Sequence, residues 1–257
     1  MYDYTPPQDL LRDRVILVTG AGDGIGRAAA NAFAAHGATV VLLGRTIRKL
    51  EQVYDEIERN GHPQPALYPM DLEGAKPKDY DDLAAVLERE FGRLDGLLHN
   101  AALLGTLTPL VHYDIGLWYR VMQVNLHAPF MLSRACLGLL AKSSAASVVF
   151  TSDRVGRKGR AYWGAYGVSK FALEGLMQIM ADELEANTSI RVNSVAPGPA
   201  RTRLRATAYP GEDPSTVAKP EDLMPLYLYL MGRDSLGVTG RAFDAQQDAA
   251  AISSDRS

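Results

Sequence analysis

Arg14-Val15-Ile16-Leu17-Val18-Thr19-Gly20-Ala21-Gly22-Asp23-Gly24-Ile25-Gly26 is the stretch that decides the fold. Residues 14–19 read as a buried strand, a short apolar run without polar alternation. Gly20 opens a tight turn. Residues 25–36 are Ala-rich with helical periodicity, and Gly37 stops them. Residues 39–43 are a second β-branched run. A strand, a glycine turn, a helix and another strand make a right-handed βαβ unit.

The alternation continues outward from this unit. A charged helix is expected over 46–60, a strand near 66–69, a helix near 80–91 and a strand at 94–98. A helix near 117–141, a strand at 147–151, a helix at 163–186 and a strand at 190–195 follow. Such regular alternation predicts an α/β fold: a doubly wound parallel sheet of about seven strands flanked by helices, in a single domain with its core over 14–246. Pro197, Pro199, Pro210, Pro214 and Pro220 interrupt the pattern, so 197–220 reads as an irregular segment placed as a substrate lid. A last helix near 221–231 and a strand near 238–243 close the domain. Residues 247–257 read as a flexible tail.

Composition narrows the function. The 257 residues are 47% hydrophobic, ample for a packed core, and the net charge of -3 predicts neither nucleic-acid nor membrane binding. Apolar runs are short and the N-terminus lacks a signal pattern, which points to a cytoplasmic protein. The single cysteine, Cys136, fits a reducing compartment and reads as a small buried hydrophobe.

Glycines between the first strand and the first helix let the backbone approach a pyrophosphate, which a helix N-terminus can bind. Gly20, Gly22, Gly24 and Gly26, with Asp23 and Ile25 among them, are therefore candidate dinucleotide contacts; an ordinary turn is the other reading. At the end of the second strand an NAD-selective site would carry an acid. Here Gly44 is followed by Arg45, with Arg48 and Lys49 one turn on. A guanidinium without an acid suits a 2′-phosphate, so NADP(H) is expected over NAD(H); a solvated charged helix start is the alternative. Asp71-Leu72, after the third strand, could hold the adenine, or Asp71 could cap a helix.

Tyr166 and Lys170 are four apart and share one face of a helix. A phenol beside a fixed ammonium is a candidate proton donor to a carbonyl, because the cation favours the phenolate.

With Thr19–Gly26, Asn100-Ala101, Asn125, Tyr166 with Lys170, and Pro197-Gly198 in this order, the chain resembles the short-chain dehydrogenase/reductase family, over about 14–243. The segments Leu98-His99-Asn100-Ala101, Trp163-Gly164-Ala165-Tyr166 and 239–246 look like the bacterial YciK-type oxidoreductases within it. The resemblance implies a Rossmann fold with Tyr166 as catalytic acid/base. It implies that Lys170 binds the nicotinamide ribose and lowers the Tyr pKa. Asn125 would hold a water linking Lys170 to solvent, although a helix Asn bonded locally is also open. Asn100 and Ala101 would lie behind the cofactor, Pro197 and Gly198 would line the nicotinamide, and Thr202 would reach its carboxamide or phosphate region. The substrate would be a small carbonyl or alcohol. Trp118, Tyr119, Met122, Leu126 and Phe130 share helical spacing and read as core or subunit contact; the long helices 117–141 and 163–186 resemble those that pair subunits in the family, which implies a homodimer or homotetramer.

Two positions depart from the family. Its Asn-Ala-Gly is Asn100-Ala101-Ala102. Its catalytic Ser, thirteen residues before the Tyr, is Asp153, and the neighbouring Ser152 faces the other way on a strand end. An ionised Asp cannot donate to a carbonyl oxygen, and losing one such donor costs on the order of 3 kcal/mol of transition-state stabilisation. Asp153 could be protonated and donate, bond a substrate hydroxyl or amine, or pair with Arg154, Arg157, Lys158 or Arg160 and leave the site. The alternative function is an NADP(H)-binding protein with impaired catalysis, a sensor or scaffold. Those basic residues, with Arg201, Arg203 and Arg205, lie where an anionic substrate would be attracted. His99, His112 and His127 lack metal-ligand spacing, so no metal site is expected.

Overall fold

A computed structural model describes residues 1–246. Seven strands form one parallel sheet in the order β3-β2-β1-β4-β5-β6-β7. They are β1 (Val15–Thr19), β2 (Thr39–Gly44), β3 (Ala66–Pro69), β4 (Gly96–His99), β5 (Ser147–Thr151), β6 (Arg191–Ala196) and β7 (Ala242–Asp244). The helices between them are α1 (Gly24–Ala35), α2 (Ile47–Arg59), α3 (Pro77–Phe91), α4 (Ile115–Met122), α5 (Ala128–Leu140), α6 (Gly164–Glu185), α7 (Arg203–Ala208) and α8 (Met224–Met231). The doubly wound parallel sheet expected from the alternation is present, in one domain.

Every residue of β1 and β5 is buried. Helices cover both sheet faces, so these strands read as continuous apolar runs. Ile16, Val18, Val40 and Leu42 face α1, α2 and α8 in one core. Leu17, Val41 and Leu43 face α3, α5 and α6 in the other. Leu11 is fully buried and the Tyr2 ring lies tilted against Tyr229, centres 5.4 Å apart, so residues ahead of 14 also pack on the domain. Because β1 pairs with both β2 and β4, the winding reverses between β1 and β4. Doubly wound sheets open their ligand crevice at the carboxyl ends of such strands.

Four expectations are corrected. The helix read over 117–141 is α4 and α5 joined by a π-helical turn at Gln123–His127, which carries Asn125. A single π turn inside an α-helix has no residue signature of its own, so the sequence does not mark it. The last strand is not 238–243 but Ala242–Asp244. Gly240 turns the chain at φ 68, and ahead of it side chains take over the strand's bonds: Val192 N donates to Thr239 Oγ1 (3.0 Å) and Asn193 Nδ2 to the Val238 carbonyl (2.8 Å). The 197–220 segment is not wholly irregular. Arg201 N donates to the Ala218 carbonyl (2.8 Å), pinning its base, and it contains α7, which Thr202 caps. The last helix starts at Met224, after a 3-10 turn at Pro220–Leu223. The expected flexible tail, 247–257, lies outside the described residues.

Candidate functional site

The turn after β1 is built by close approach. Gly20 has φ 67, and a Cβ there would lie 3.0 Å from the Ala101 Cα. A Cβ on Gly26 would lie 2.2 Å from the Gly20 carbonyl oxygen and 2.6 Å from Asn100 Nδ2, so only glycine lets α1 start against the turn. Asn100 locks the turn from behind: its N–H donates to Thr19 Oγ1 (2.9 Å) and its Nδ2 to the Thr19 carbonyl (3.2 Å). Asp23 caps α1 by accepting from Gly24 N (2.8 Å). Lys49 pairs with Asp23 and holds its carboxyl below the usual range. Arg45 is exposed and, with Asp71 and Leu72, lines the cleft that leads from the turn. Asp71 accepts from Glu73 N (3.2 Å), closing a local turn; the residue at the start of α3 is Lys76.

The cleft encloses about 530 Å³ and runs from Gly20–Ile25 to Tyr166 and Tyr209. Tyr166 and Lys170 project from α6 at its floor, and both are buried. The Tyr166 hydroxyl donates to Asp153 Oδ2 at 3.1 Å. Asp153 Oδ1 accepts from Val155 N (3.0 Å), capping a 3-10 turn at Arg154–Gly156. Lys170 Nζ donates to the Thr151 carbonyl at 2.7 Å and lies 5.5 Å from the Tyr166 ring centre. Burial pulls the Lys170 ammonium down to about 8. Burial, and after it the Asp153 carboxylate, pushes the Tyr166 phenol well above 10. The lowered phenol pKa expected from the Lys170 neighbour is thus reversed, because desolvation and Asp153 outweigh that ammonium.

Asn125 is buried but does not bond within its own helix. Its Oδ1 accepts from Leu103 N (2.8 Å), and its Nδ2 donates to the Leu103 carbonyl (3.0 Å) and Ser169 Oγ (3.0 Å). With both amide hydrogens spent, the side chain ties the loop after β4 to α6. Ser152 is buried, and its hydroxyl finds no partner among the described residues. Thr202 caps α7 by accepting from Arg205 N (3.2 Å). Its methyl faces the glycine turn, where a Cβ on Gly24 would meet it at 3.2 Å. Pro197 and Gly198 line the cleft between these groups.

Around Tyr166 the wall is apolar and aromatic: Leu104, Val155 and Trp163 cluster with Leu204 and Tyr209. The Trp163 ring lies 5.6 Å from Tyr166 and 6.1 Å from Tyr209. The basic residues nearby are committed elsewhere. Arg154 and Arg157 pair with Asp244, and Arg157 also pairs with Glu174. Arg160 donates to the Tyr209 hydroxyl (2.9 Å), and Arg201 to the Pro214 carbonyl (2.8 Å). Arg205 stacks on Tyr209 at 3.7 Å while binding Glu212 through two nitrogens. Lys158 is exposed on the loop outside the cleft. Only Arg203 among the loop and lid cations is exposed and lines the cleft, and its charge acts on Asp23 at the turn end. The idea that Arg154, Arg157, Lys158 or Arg160 draws Asp153 out of the site therefore fails.

Gln246 was not among the site residues expected. Its Nε2 donates to the carbonyls of both Pro197 (2.8 Å) and Pro199 (2.6 Å), bracing the turn that holds Gly198. A glutamine beyond the last strand carries no spacing signal that would mark it. His99 is buried, with Nε2 2.8 Å from Ser133 Oγ, and its ring stacks on Phe150; burial pulls its pKa to about 3. Among the described residues no three His, Cys, Asp or Glu side chains cluster to hold a metal.

Known proteins share this architecture. Residues 14–213 match the short chain dehydrogenase family. The oxidoreductase YciK of Escherichia coli K12 is 53% identical over 243 residues, 95% of this chain and 96% of that one. A short chain dehydrogenase structure from Pseudomonas syringae is 57% identical with TM-score 0.93, covering 96% of this chain and 100% of that chain. One from Escherichia coli CFT073, complexed with NADPH, is 53% identical with TM-score 0.91, covering 94% and 100%. The chain belongs to the short-chain dehydrogenase family.

Proposed function

We propose that the protein is an NADP(H)-dependent oxidoreductase that moves a hydride between the nicotinamide and a carbonyl or alcohol carbon of a small molecule, with Tyr166 as acid/base. The observation that carries this is the buried Tyr166 hydroxyl beside Lys170, in a cleft that begins at the glycine turn. The turn fits a dinucleotide, because a Cβ on Gly22 or Gly24 would run into Lys49 or Thr202 and fill the cradle between them. Main-chain N–H groups from Gly20 to Gly26 and the positive end of α1 would take the pyrophosphate. Arg45 would take a 2′-phosphate, and Asp71 with Leu72 the adenine. Asn100 and Ala101 would back the cofactor, while Pro197, Gly198 and Thr202 would flank the nicotinamide. The related protein crystallised with NADPH supports the choice of NADP(H).

When bound, NADP(H) supplies or accepts the hydride. In reduction the carbonyl electron pair moves onto oxygen and Tyr166 protonates it; in oxidation Tyr166 takes that proton back. Lys170 would hold the ribose and favour the phenolate. Asn125 acts by positioning α6 and the loop that carries Leu103. A cofactor-binding protein with impaired catalysis is the second reading, favoured by one observation: the Tyr166 hydroxyl is engaged in a hydrogen bond to Asp153. We also infer a homodimer or homotetramer. Tyr119 and Phe130 on α4 and α5, and Val168, Phe171 and Ile179 on α6, are exposed apolar side chains that a second copy would cover.

NADPH consumption over a carbonyl panel tests the leading reading. The native protein is expected to turn over and to prefer NADPH to NADH. Tyr166→Phe should lose roughly a thousandfold in turnover while still binding NADPH. Undiminished turnover in that variant excludes the mechanism, and native binding of NADPH with no turnover favours the second reading.

A further inference from the structure

Asp153 faces the Tyr166 end of the cleft with acceptor capacity to spare. A carboxylate offers about four lone-pair positions. Two hydrogen bonds use it here, from Val155 N and from the Tyr166 hydroxyl. No cation among the described residues pairs with it. Arg154 and Arg157 go to Asp244 and Glu174, Arg205 goes to Glu212, and Lys170 donates to the Thr151 carbonyl. The surrounding wall of Leu104, Trp163 and Leu204 is apolar. A half-buried carboxylate in such a wall is costly unless it is hydrogen-bonded. Asp153 lines the cleft, where a donor on a substrate would reach its remaining lone pairs.

We propose that Asp153 is a substrate-recognition group that selects molecules carrying a hydrogen-bond donor, a hydroxyl or a protonated amine, on the carbon next to the reacting one. This rests on the oxidoreductase reading and adds the substrate class: hydroxy- or amino-carbonyl compounds with an apolar body, and the diols or amino alcohols they form. The spacing supports neighbouring carbons, because Asp153 Oδ2 and the Tyr166 hydroxyl are 3.1 Å apart, much like two oxygens on adjacent carbons. A donor on the spare lone pair of Oδ2 draws charge from that oxygen and loosens its hold on the phenol. The Tyr166 proton is then free to turn to the carbonyl oxygen, where reduction needs it. A substrate without the donor leaves the phenol bonded to Asp153. A substrate carboxylate in that place meets like charge. The same residue that removes a hydroxyl donor from the family's site thereby ties proton delivery to the presence of the right neighbour.

Four ligands on one skeleton test this: phenacyl alcohol, phenacylamine, acetophenone and phenylglyoxylate. With NADPH, the native protein is expected to favour the first two over acetophenone by about tenfold to a hundredfold in kcat/KM, the range of one hydrogen bond to a charged group. Asp153→Ser should collapse that ratio and improve acetophenone. A native preference for acetophenone or phenylglyoxylate, or a donor preference that survives Asp153→Ser, overturns the proposal. Calorimetric titration of the same ligands into protein saturated with NADP+, which has no hydride to give a ketone, separates recognition from catalysis. Donor-selective binding without turnover upholds Asp153 and defeats the catalytic reading. Turnover with indifferent binding and indifferent kcat/KM does the reverse. Failure of phenacyl alcohol and phenacylamine to bind at all overturns the proposal.

Discussion

At the glycine-turn end of the cleft the shape is made by backbone; at the Tyr166 end it is made by side chains carried in from distant elements. Gly20, Gly26, Thr19 and Asn100 interlock through main-chain atoms, one amide and the Thr19 hydroxyl, within contacts a methyl group would break. Asp153, Tyr166, Trp163, Tyr209 and Arg205 come from three separate stretches, joined by one hydrogen bond, ring contacts and a cation over a ring. The first kind of site accepts almost no change and serves any ligand with the same phosphate geometry. The second kind accepts change and decides which molecule reacts. A fold can therefore keep one cofactor while its chemistry is retuned at the other end.

The harshest way to break this contrast is one methyl group at the rigid end. Gly26→Ala must move the Gly20 carbonyl or Asn100, since its Cβ would lie 2.2 Å from the one and 2.6 Å from the other. Overpacking of this kind costs about 1–3 kcal/mol, so NADPH affinity should fall roughly tenfold to a hundredfold. A fluorescence titration of bound NADPH checks it. Unchanged affinity would show that the turn yields more easily than its contacts indicate.

At the tunable end a substitution should shift a titration rather than destroy the site. Burial first, then the Asp153 charge and hydrogen bond, hold the Tyr166 phenol well above 10. Alcohol oxidation needs the phenolate, so its rate rises with pH toward that raised pKa. Asp153→Asn removes a like charge from beside the phenolate and should move the rise to lower pH by about one unit. The pH profile of oxidation, compared between native protein and variant, reads this directly. A rise at the same or higher pH would mean that Asp153 does not govern Tyr166.

The same contrast explains what could be read before the structure. The turn from Gly20 to Gly26 and the strand β1 are local in sequence, and local order suffices to place them at a switch point of a doubly wound sheet. Tyr166 and Lys170 share a helix face and were legible for the same reason. The partners of the loop cations were not. Asp244, which holds Arg154, is ninety residues away in the chain, and no spacing rule connects them. The loop cations therefore read as an anion trap, whereas Arg154, Arg157, Arg160, Arg201 and Arg205 are tied to a carboxylate, a carbonyl or a phenol. The π-helical turn at Gln123–His127 escaped because a single such turn inside an α-helix has no residue signature of its own.

Gln246 belongs to the joint between the two ends and gives the smallest effect. Its amide hydrogens bind the Pro197 and Pro199 carbonyls on either side of Gly198, whose φ is 72. Next to it, the Ala245 carbonyl accepts from Tyr2 N (3.1 Å), so the N-terminal segment helps hold the brace. Gln246→Ala leaves two half-buried carbonyls without these donors, at about 1 kcal/mol in all, because water can partly replace them. The KM for NADPH should rise several-fold with kcat little altered, since the brace orients the turn and touches no reacting atom. Gln246→Glu separates orientation from packing: it keeps the shape but cannot donate to a carbonyl. It should therefore behave like the alanine variant. Full rescue by glutamate would make Gln246 a space-filling residue, and the turn at Gly198 would then be set by its own backbone.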